Sequence, residues 1–232
     1  MENKFNLKEN ILFEDDWLLA LNKPSDLIVN RSKTAKTKTL QDYLEEEYSF
    51  EGDETFVSRS GIVHRLDKDT SGVLIIAKNE KAFTELQKSF KNREIQKEYT
   101  ALVHGSISHE LLEINAPIGR SPVNFRKYAI LADGKKSYTK AVKISEINIQ
   151  EETYSKMKIH PKTGRTHQIR VHFASINHPI AGDSIYCPKA LYERDLSIFG
   201  RLMLHANKIT FISPVDNKKI SIESKIPSIF NN

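Results

Sequence analysis

The stretch "GIVHRLDKDTSGVLIIA" (residues 61–77) crowds a histidine, an arginine, two aspartates, a lysine, a threonine and a serine between two glycines, then runs straight into five apolar residues. A short apolar run bounded by turn residues reads as a buried strand, and scaffolds commonly place catalytic groups in the loop that enters such a strand. Working outward, "ILFEDDWLLALNKP" (11–24) reads as two short strands around a turn at Asp15 and Asp16. "TLQDYLEEEY" (39–48) is helical, and "EKAFTELQKSFKN" (80–92) is a second helix. Asn79 caps the second, and Phe83, Leu86 and Phe90 fall on one of its faces. "IQKEYTALVHG" (95–105) and "YSKMKIH" (154–160) alternate as strands, with Met157 and Ile159 on one face. In "RTHQIRVHFASINHP" (165–179), Ile169, Phe173 and Ile176 form the apolar stripe of a helix that should stop before Pro179. "RLMLHANKITFI" (201–212) and "KKISIES" (218–224) are strand candidates. Strands outnumber helices without regular alternation, so the expected class is α+β rather than a doubly wound sheet.

The chain has 232 residues, enough to bury a substantial core. It shows no Pro/Gly/Ser-rich linker, low-complexity tract or fixed-period repeat, so a single domain over 1–232 is expected. The start, "MENKFNLKEN", is polar and of mixed charge, and no apolar segment approaches a membrane span. One cysteine, Cys187, permits no intramolecular disulfide and reads as a small packing residue. These features point to a cytoplasmic protein with no membrane partner. The 35 basic and 30 acidic residues leave a net charge of +5, with basic residues gathered in "NRSKTAKTK" (30–38) and "FKNREIQK" (90–97). Each is either a solvated face or contact surface for a polyanion.

The nine glycines exclude several chemistries, because the nearest pair, Gly52 and Gly61, is nine positions apart. Dinucleotide, kinase and P-loop phosphate cradles, and the hydrolase nucleophile elbow, all need glycines two to five residues apart. A single cysteine cannot supply the paired thiolates of a base deaminase, and His167 and His172, five residues apart, are poorly spaced for a shared metal on a helix. Neither a cofactor nor a metal is therefore expected. "SYTK" (137–140) and "KTG" (162–164) imitate two elements of the serine acylases, but the S-D-N element is missing. In a strand, Ser137 and Lys140 would also face opposite sides.

What remains is a polar, cofactor-free set: Asp67 in the opening loop, Tyr99 on a strand and Arg170 on a helix. A carboxylate can serve as nucleophile or base only when ionised, and a nearby guanidinium favours that form and fixes its orientation. From the residues alone, Asp67 could equally cap a turn, Tyr99 fill the core and Arg170 pair at the surface.

A resemblance bears on that choice. "HRLDKDTSG" (64–72) resembles the H-R-L-D-x-x-T-S-G signature of the RluA-type pseudouridine synthases. "LNKPSDLIV" (21–29) is similar to the family's K-P motif and "KEYTALVHG" (97–105) to its K-x-Y segment. "TGRTHQIRVHFASINHPIAGDSIY" (163–186) is similar to its long third motif and "RLMLHANKITF" (201–211) to its closing L-H-A strand. The motifs stand in family order over nearly the whole chain. The resemblance implies the pseudouridine synthase fold, a long mixed and mainly antiparallel sheet flanked by helices and split by a central cleft. It implies isomerisation of uridine in structured RNA, ribosomal or transfer; a monomer without cofactor is expected.

Residue by residue, it implies that Asp67 is the catalytic aspartate, Tyr99 the tyrosine that stacks on the base and is a candidate for taking the C5 proton, and Arg170 the basic partner of the aspartate. Ile169 would wall the pocket and Arg65 would insert into the RNA where the base leaves. His64, Arg165 and His167 join the substrate-binding set, and His64, Asp69, Thr70 and Ser71 also keep the loop in shape. Flipping a uridine out costs a few kcal/mol, which an aromatic face and an inserted arginine can offset. Two departures stand out: "KPSD" where the family often has Lys-Pro-Ala-Gly, and Tyr186-Cys187 where it often has Tyr-Gly. The K-P motif begins at Leu21, so no preceding S4-type RNA-binding domain is expected and substrate choice would rest on the catalytic domain. The competing readings are an RNA-binding module that has lost catalysis, and the serine acylase.

Overall fold

The computed structural model describes residues 5–32 and 36–231; residues 1–4 of the polar start and Lys33 of the basic run lie outside them. The chain divides into two compact units, Met1–Gln96 with Asn207–Lys225, and Lys97–Ala206 with Ile226–Asn232. In chain order the first unit carries β1 (Ile11–Glu14), β2 (Leu18–Lys23), α1 (Leu40–Glu47), α2 (Glu54–Ser58), β3 (Ser71–Ala77) and α3 (Glu80–Asn92). Then come β4 (Gln96–His104), β5 (Leu111–Asn115), β6 (Ile118–Arg120), β7 (Tyr128–Ile130), β8 (Tyr138–Ile149), β9 (Glu152–Pro161), α4 (Gln168–Ser175) and α5 (Lys189–Phe199) of the second unit. β10 (Leu204–Ile212) gives its first residues to the second unit and the rest to the first, which β11 (Lys219–Glu223) completes. The class is α+β, as expected.

In the first unit the strand order is β1-β2-β3-β10, with β11 also on β10. β2 and β3 pair antiparallel with Leu21 opposite Leu74 and Lys23 opposite Gly72. Every residue of β3 is buried, which explains why its sequence is an unbroken apolar run rather than an alternating one. α3 begins where Asn79 Oδ1 accepts the Ala82 N–H at 3.0 Å, and it buries Ala82, Phe83 and Leu86. Phe56 of α2 stacks edge-on against Phe83 at 5.5 Å and against Phe50 at 5.7 Å. Full burial of a side chain such as Leu86 is worth about 1.5–3 kcal/mol.

In the second unit the order is β10-β4-β9-β8-β5, with β6 and β7 forming a separate hairpin. β4 pairs antiparallel with β9, and β8 pairs antiparallel with β9 and β5. Met157 and Ile159 both point into the core, as their period-two spacing requires. α4 lays Ile169 and Phe173 on the same core and stops before Pro179, with Ile176 packed at its end. α2, α5 and the strands β5 to β7 are not among the elements expected from the sequence, and of β8 only the start around Lys140 reads as a strand.

Candidate active site

The loop at residues 61–72 is held by its own backbone and by the K-P segment. Gly61 has φ +69°, and a Cβ there would lie 2.0 Å from the Ala77 carbonyl oxygen, so only glycine fits. His64 Nε2 accepts the Ile75 N–H at 3.0 Å and its ring lies 4.7 Å from Phe90, which fastens the loop to β3 and α3. Lys23 is fully buried, and its ammonium donates to the carbonyls of Pro24 at 2.7 Å, Leu27 at 2.9 Å and Lys68 at 2.9 Å. Ser25 Oγ donates to the Asp69 carbonyl at 2.7 Å, and the Thr70 N–H donates to the Asp67 carbonyl at 3.1 Å. The three successive carbonyls of Asp67, Lys68 and Asp69 are thus each held by a hydrogen bond, and the Asp67 side chain is half-buried. Arg65 is exposed.

This clamp accounts for the first departure from the family pattern. Asp26, where a glycine is usual, has φ +70°, a left-handed conformation that aspartate tolerates better than most residues. Its carboxylate meets Lys68 Nζ at 2.7 Å. Ser25, where alanine is usual, adds the bond to the Asp69 carbonyl.

In the second unit Tyr99 is half-buried on β4, opposite Ile159 of β9. Lys97 stands two residues earlier, hence on the same face, and donates to the Thr163 carbonyl at 3.2 Å; burial pushes its ammonium down to about 8. The segment entering α4 is locked by Gln168. Its Oε1 accepts from Thr163 Oγ1 at 2.6 Å and from the Arg165 N–H at 3.1 Å. Its Nε2 donates to the Tyr138 carbonyl and to Thr139 Oγ1, both at 3.0 Å.

Arg170, 2% exposed, presents Nε and Nη2 to the two oxygens of Asp183, each at 2.7 Å. Asp183 also accepts the N–H groups of Ile185 at 2.9 Å and Tyr186 at 3.1 Å. This two-pronged geometry fixes the plane of the guanidinium as a lysine could not. Tyr186 accepts the Tyr128 N–H at 3.0 Å, and its hydroxyl is hydrogen-bonded to His167 Nδ1 at 2.9 Å. His167 is edge-on to both tyrosine rings at 5.7 Å, and Arg165 Nε donates to the Lys136 carbonyl at 3.2 Å.

The expected residues therefore fall into two groups: His64, Arg65 and Asp67 on one loop of the first unit, and Tyr99 with Arg165, His167, Ile169 and Arg170 in the second. Asp183, Gln168 and the clamp from Lys23 were not singled out, although all three lie inside motifs quoted above. The serine acylase reading loses its geometry, since Ser137 Oγ donates to the Lys135 carbonyl at 3.0 Å while Lys140 faces Glu113 at 3.9 Å.

The sequence pattern of the RNA pseudouridylate synthase family matches residues 17–175. The chain belongs to this family. An RNA pseudouridine synthase of Aquifex aeolicus is 37% identical over 97% of this chain and 72% of its own length. The ribosomal large subunit pseudouridine synthase D of Zymomonas mobilis is 37% identical over 94% and 69%. Among solved structures, human RNA pseudouridylate synthase domain containing 1 superposes with a TM-score of 0.77 at 30% identity, covering 97% of this chain and 86% of the human one. As an RNA pseudouridine synthase the chain is an isomerase acting on uridine in RNA, and the pseudouridine synthase fold is shared with the human protein.

Proposed function

We propose that this pseudouridine synthase isomerises uridines in structured ribosomal or transfer RNA, with Asp67 as nucleophile. The N1–C1′ bond breaks, C5 bonds to C1′, the C5 proton leaves and N1 ends protonated. The sum is an isomerisation that requires neither oxidant nor group donor. Tyr99 stacks on the base and is the candidate for taking the C5 proton, Arg170 is the cationic partner of the aspartate, and Ile169 excludes water around the detached uracil. Arg65 fills the place the base leaves, and His64, Arg165 and His167 contact the RNA.

The observation that carries this reading is the turn at Asp67, three of whose carbonyls are held by hydrogen bonds from Lys23, Ser25 and the Thr70 N–H. A nucleophile gains most from being held in place before substrate arrives. The β6–β7 hairpin supports contact with RNA: Phe125 is 71% exposed beside Arg126 and Lys127, and Arg120 lies over the Tyr128 ring at 5.2 Å. An exposed aromatic among cations is the combination that stacks on unpaired bases while neutralising phosphate. The names of relatives such as ribosomal large subunit pseudouridine synthases C and D favour ribosomal RNA within that choice.

Residues 1–232 are proposed to act as a single catalytic domain, monomeric and cytoplasmic. No helix among the described residues is long and apolar enough to cross a membrane. The test is nucleoside analysis of ribosomal and transfer RNA from cells lacking this gene, rescued with wild type or with Arg170→Ala. Wild type should restore pseudouridine at specific sites, whereas Arg170→Ala should restore under a tenth of it, about the loss expected when a charged group at the reaction centre is removed. Unchanged pseudouridine at every site on deletion would sink the proposal.

A further inference from the structure

Helix α5 buries an aspartate where a helix facing a core ordinarily places an apolar residue. Asp195 is fully buried in the second unit. Its Oδ1 accepts the Tyr154 hydroxyl at 2.9 Å, and its Oδ2 accepts the Gly182 N–H at 2.7 Å and lies 2.8 Å from His104 Nε2. Tyr154 is buried as well, and its phenol is pushed up first by burial and then by the Asp195 charge, so it serves as a donor. Cys187 contributes a proton to the Ile180 carbonyl at 3.1 Å, and burial pushes its thiol up to about 12. The ring nitrogen, sulfur and carboxylate oxygen of His104, Cys187 and Asp195 lie within 4.8 Å of one another. Each of these atoms is already engaged in a hydrogen bond, so the cluster is organised as a polar network.

A buried carboxylate costs several kcal/mol unless its lone pairs are satisfied, so its position in the interior calls for a purpose. The Gly182 N–H supplies one. Gly182 has φ +71°, and a Cβ there would lie 2.1 Å from the Arg201 carbonyl oxygen, so the peptide passes through a space only glycine fits. The next residue is Asp183, whose carboxylate holds both prongs of Arg170.

We propose that Asp195 is a positioning residue for Arg170: its carboxylate, oriented by His104 and Tyr154, holds the Gly182 peptide and thereby fixes where Asp183 meets the guanidinium. This inference rests on the reading that Arg170 serves catalysis. Its test follows release of tritium from 5-tritiated uridine in ribosomal RNA prepared from cells lacking this gene. Rates are expressed per folded molecule, for Asp195→Asn, Tyr154→Phe, Arg170→Lys and the double variants.

Asp195→Asn should lower kcat about tenfold and Tyr154→Phe about threefold, with KM changed less than threefold, the pattern of a lost transition-state contact. In the Arg170→Lys background, where the fork on Asp183 is already lost, each change should cost less than about twofold more, because residues acting through one partner are not additive. Full kcat in both single variants, or losses that multiply undiminished in the Arg170→Lys background, would overturn the positioning role. Full activity in Arg170→Lys and in Arg170→Ala would instead overturn the catalytic reading of Arg170 itself. Tyr154→Phe removes one hydroxyl only, so it keeps the test available if Asp195→Asn does not fold.

Discussion

Two lysines show how surroundings decide what a residue can do. Lys23 gives its ammonium to three carbonyls and uses it to hold the turn at Asp67, whereas Lys97 has the Thr163 carbonyl at 3.2 Å and is pushed by burial to about 8 from an ordinary 10.5. Below pH 8 both folded and unfolded chains carry the Lys97 charge, so the cost of burying it is fully present. Between about 8 and 10.5 the folded chain has released the proton and the unfolded chain still binds it, so stability rises with pH across that window. The difference in unfolding free energy between wild type and Lys97→Met, from urea titrations at pH 7 and pH 10, should shift toward wild type at the higher pH. A difference independent of pH would show that Lys97 does not titrate there. Asp183 and Asp195 illustrate the opposite problem: nothing in their local sequence says that one grips Arg170 and the other grips the peptide before it, because both roles depend on bonds across 13 residues.

At the scale of elements, α1 is fixed at its start by reciprocal bonds. Thr39 Oγ1 accepts the Asp42 N–H at 3.3 Å, and Asp42 Oδ2 accepts the Thr39 N–H at 2.7 Å. Burial works against the Asp42 charge, but the hydrogen bonds from Thr39 and Arg31 outweigh it and hold the carboxyl down to about 2. A depressed carboxyl contributes stability above its unfolded value of 3.8 that disappears as pH falls through about 2. Thr39→Ala should cost about 1 kcal/mol at pH 6. The advantage of wild type over Asp42→Asn should vanish between pH 4 and pH 2; an advantage unchanged at pH 2 would contradict the cap.

The elements legible in the sequence were those with a clear period or cap: β1 to β4, β9, α1, α3, α4, β10 and β11. α5 escaped notice because its buried positions are Asp195 and Phe199 while Leu196 is exposed, which leaves no apolar stripe. β6 and β7 are three residues each, too short to show alternation. The candidate site was legible because ordered motifs named Asp67, Tyr99 and Arg170. The clamp at Lys23 was not, since an interior ammonium donating to backbone carbonyls leaves no periodic trace.

At the scale of the whole molecule, the family assignment, the excess of basic over acidic residues and the exposed Phe125 among cations all point toward RNA, and the chemistry requires no partner beyond it. The departures from the family pattern at Ser25 and Asp26 are absorbed by the turn at Asp67 and leave its carbonyls held. The central claim is that the Asp67 carboxylate is the nucleophile. Its most direct measurement is pseudouridine formed by Asp67→Asn in ribosomal RNA from cells lacking this gene, with affinity for that RNA measured in parallel. Pseudouridine should fall below detection while affinity stays within about threefold, since an interaction made only in the transition state leaves ground-state binding intact. Pseudouridine formed by Asp67→Asn at a rate near wild type would contradict the account.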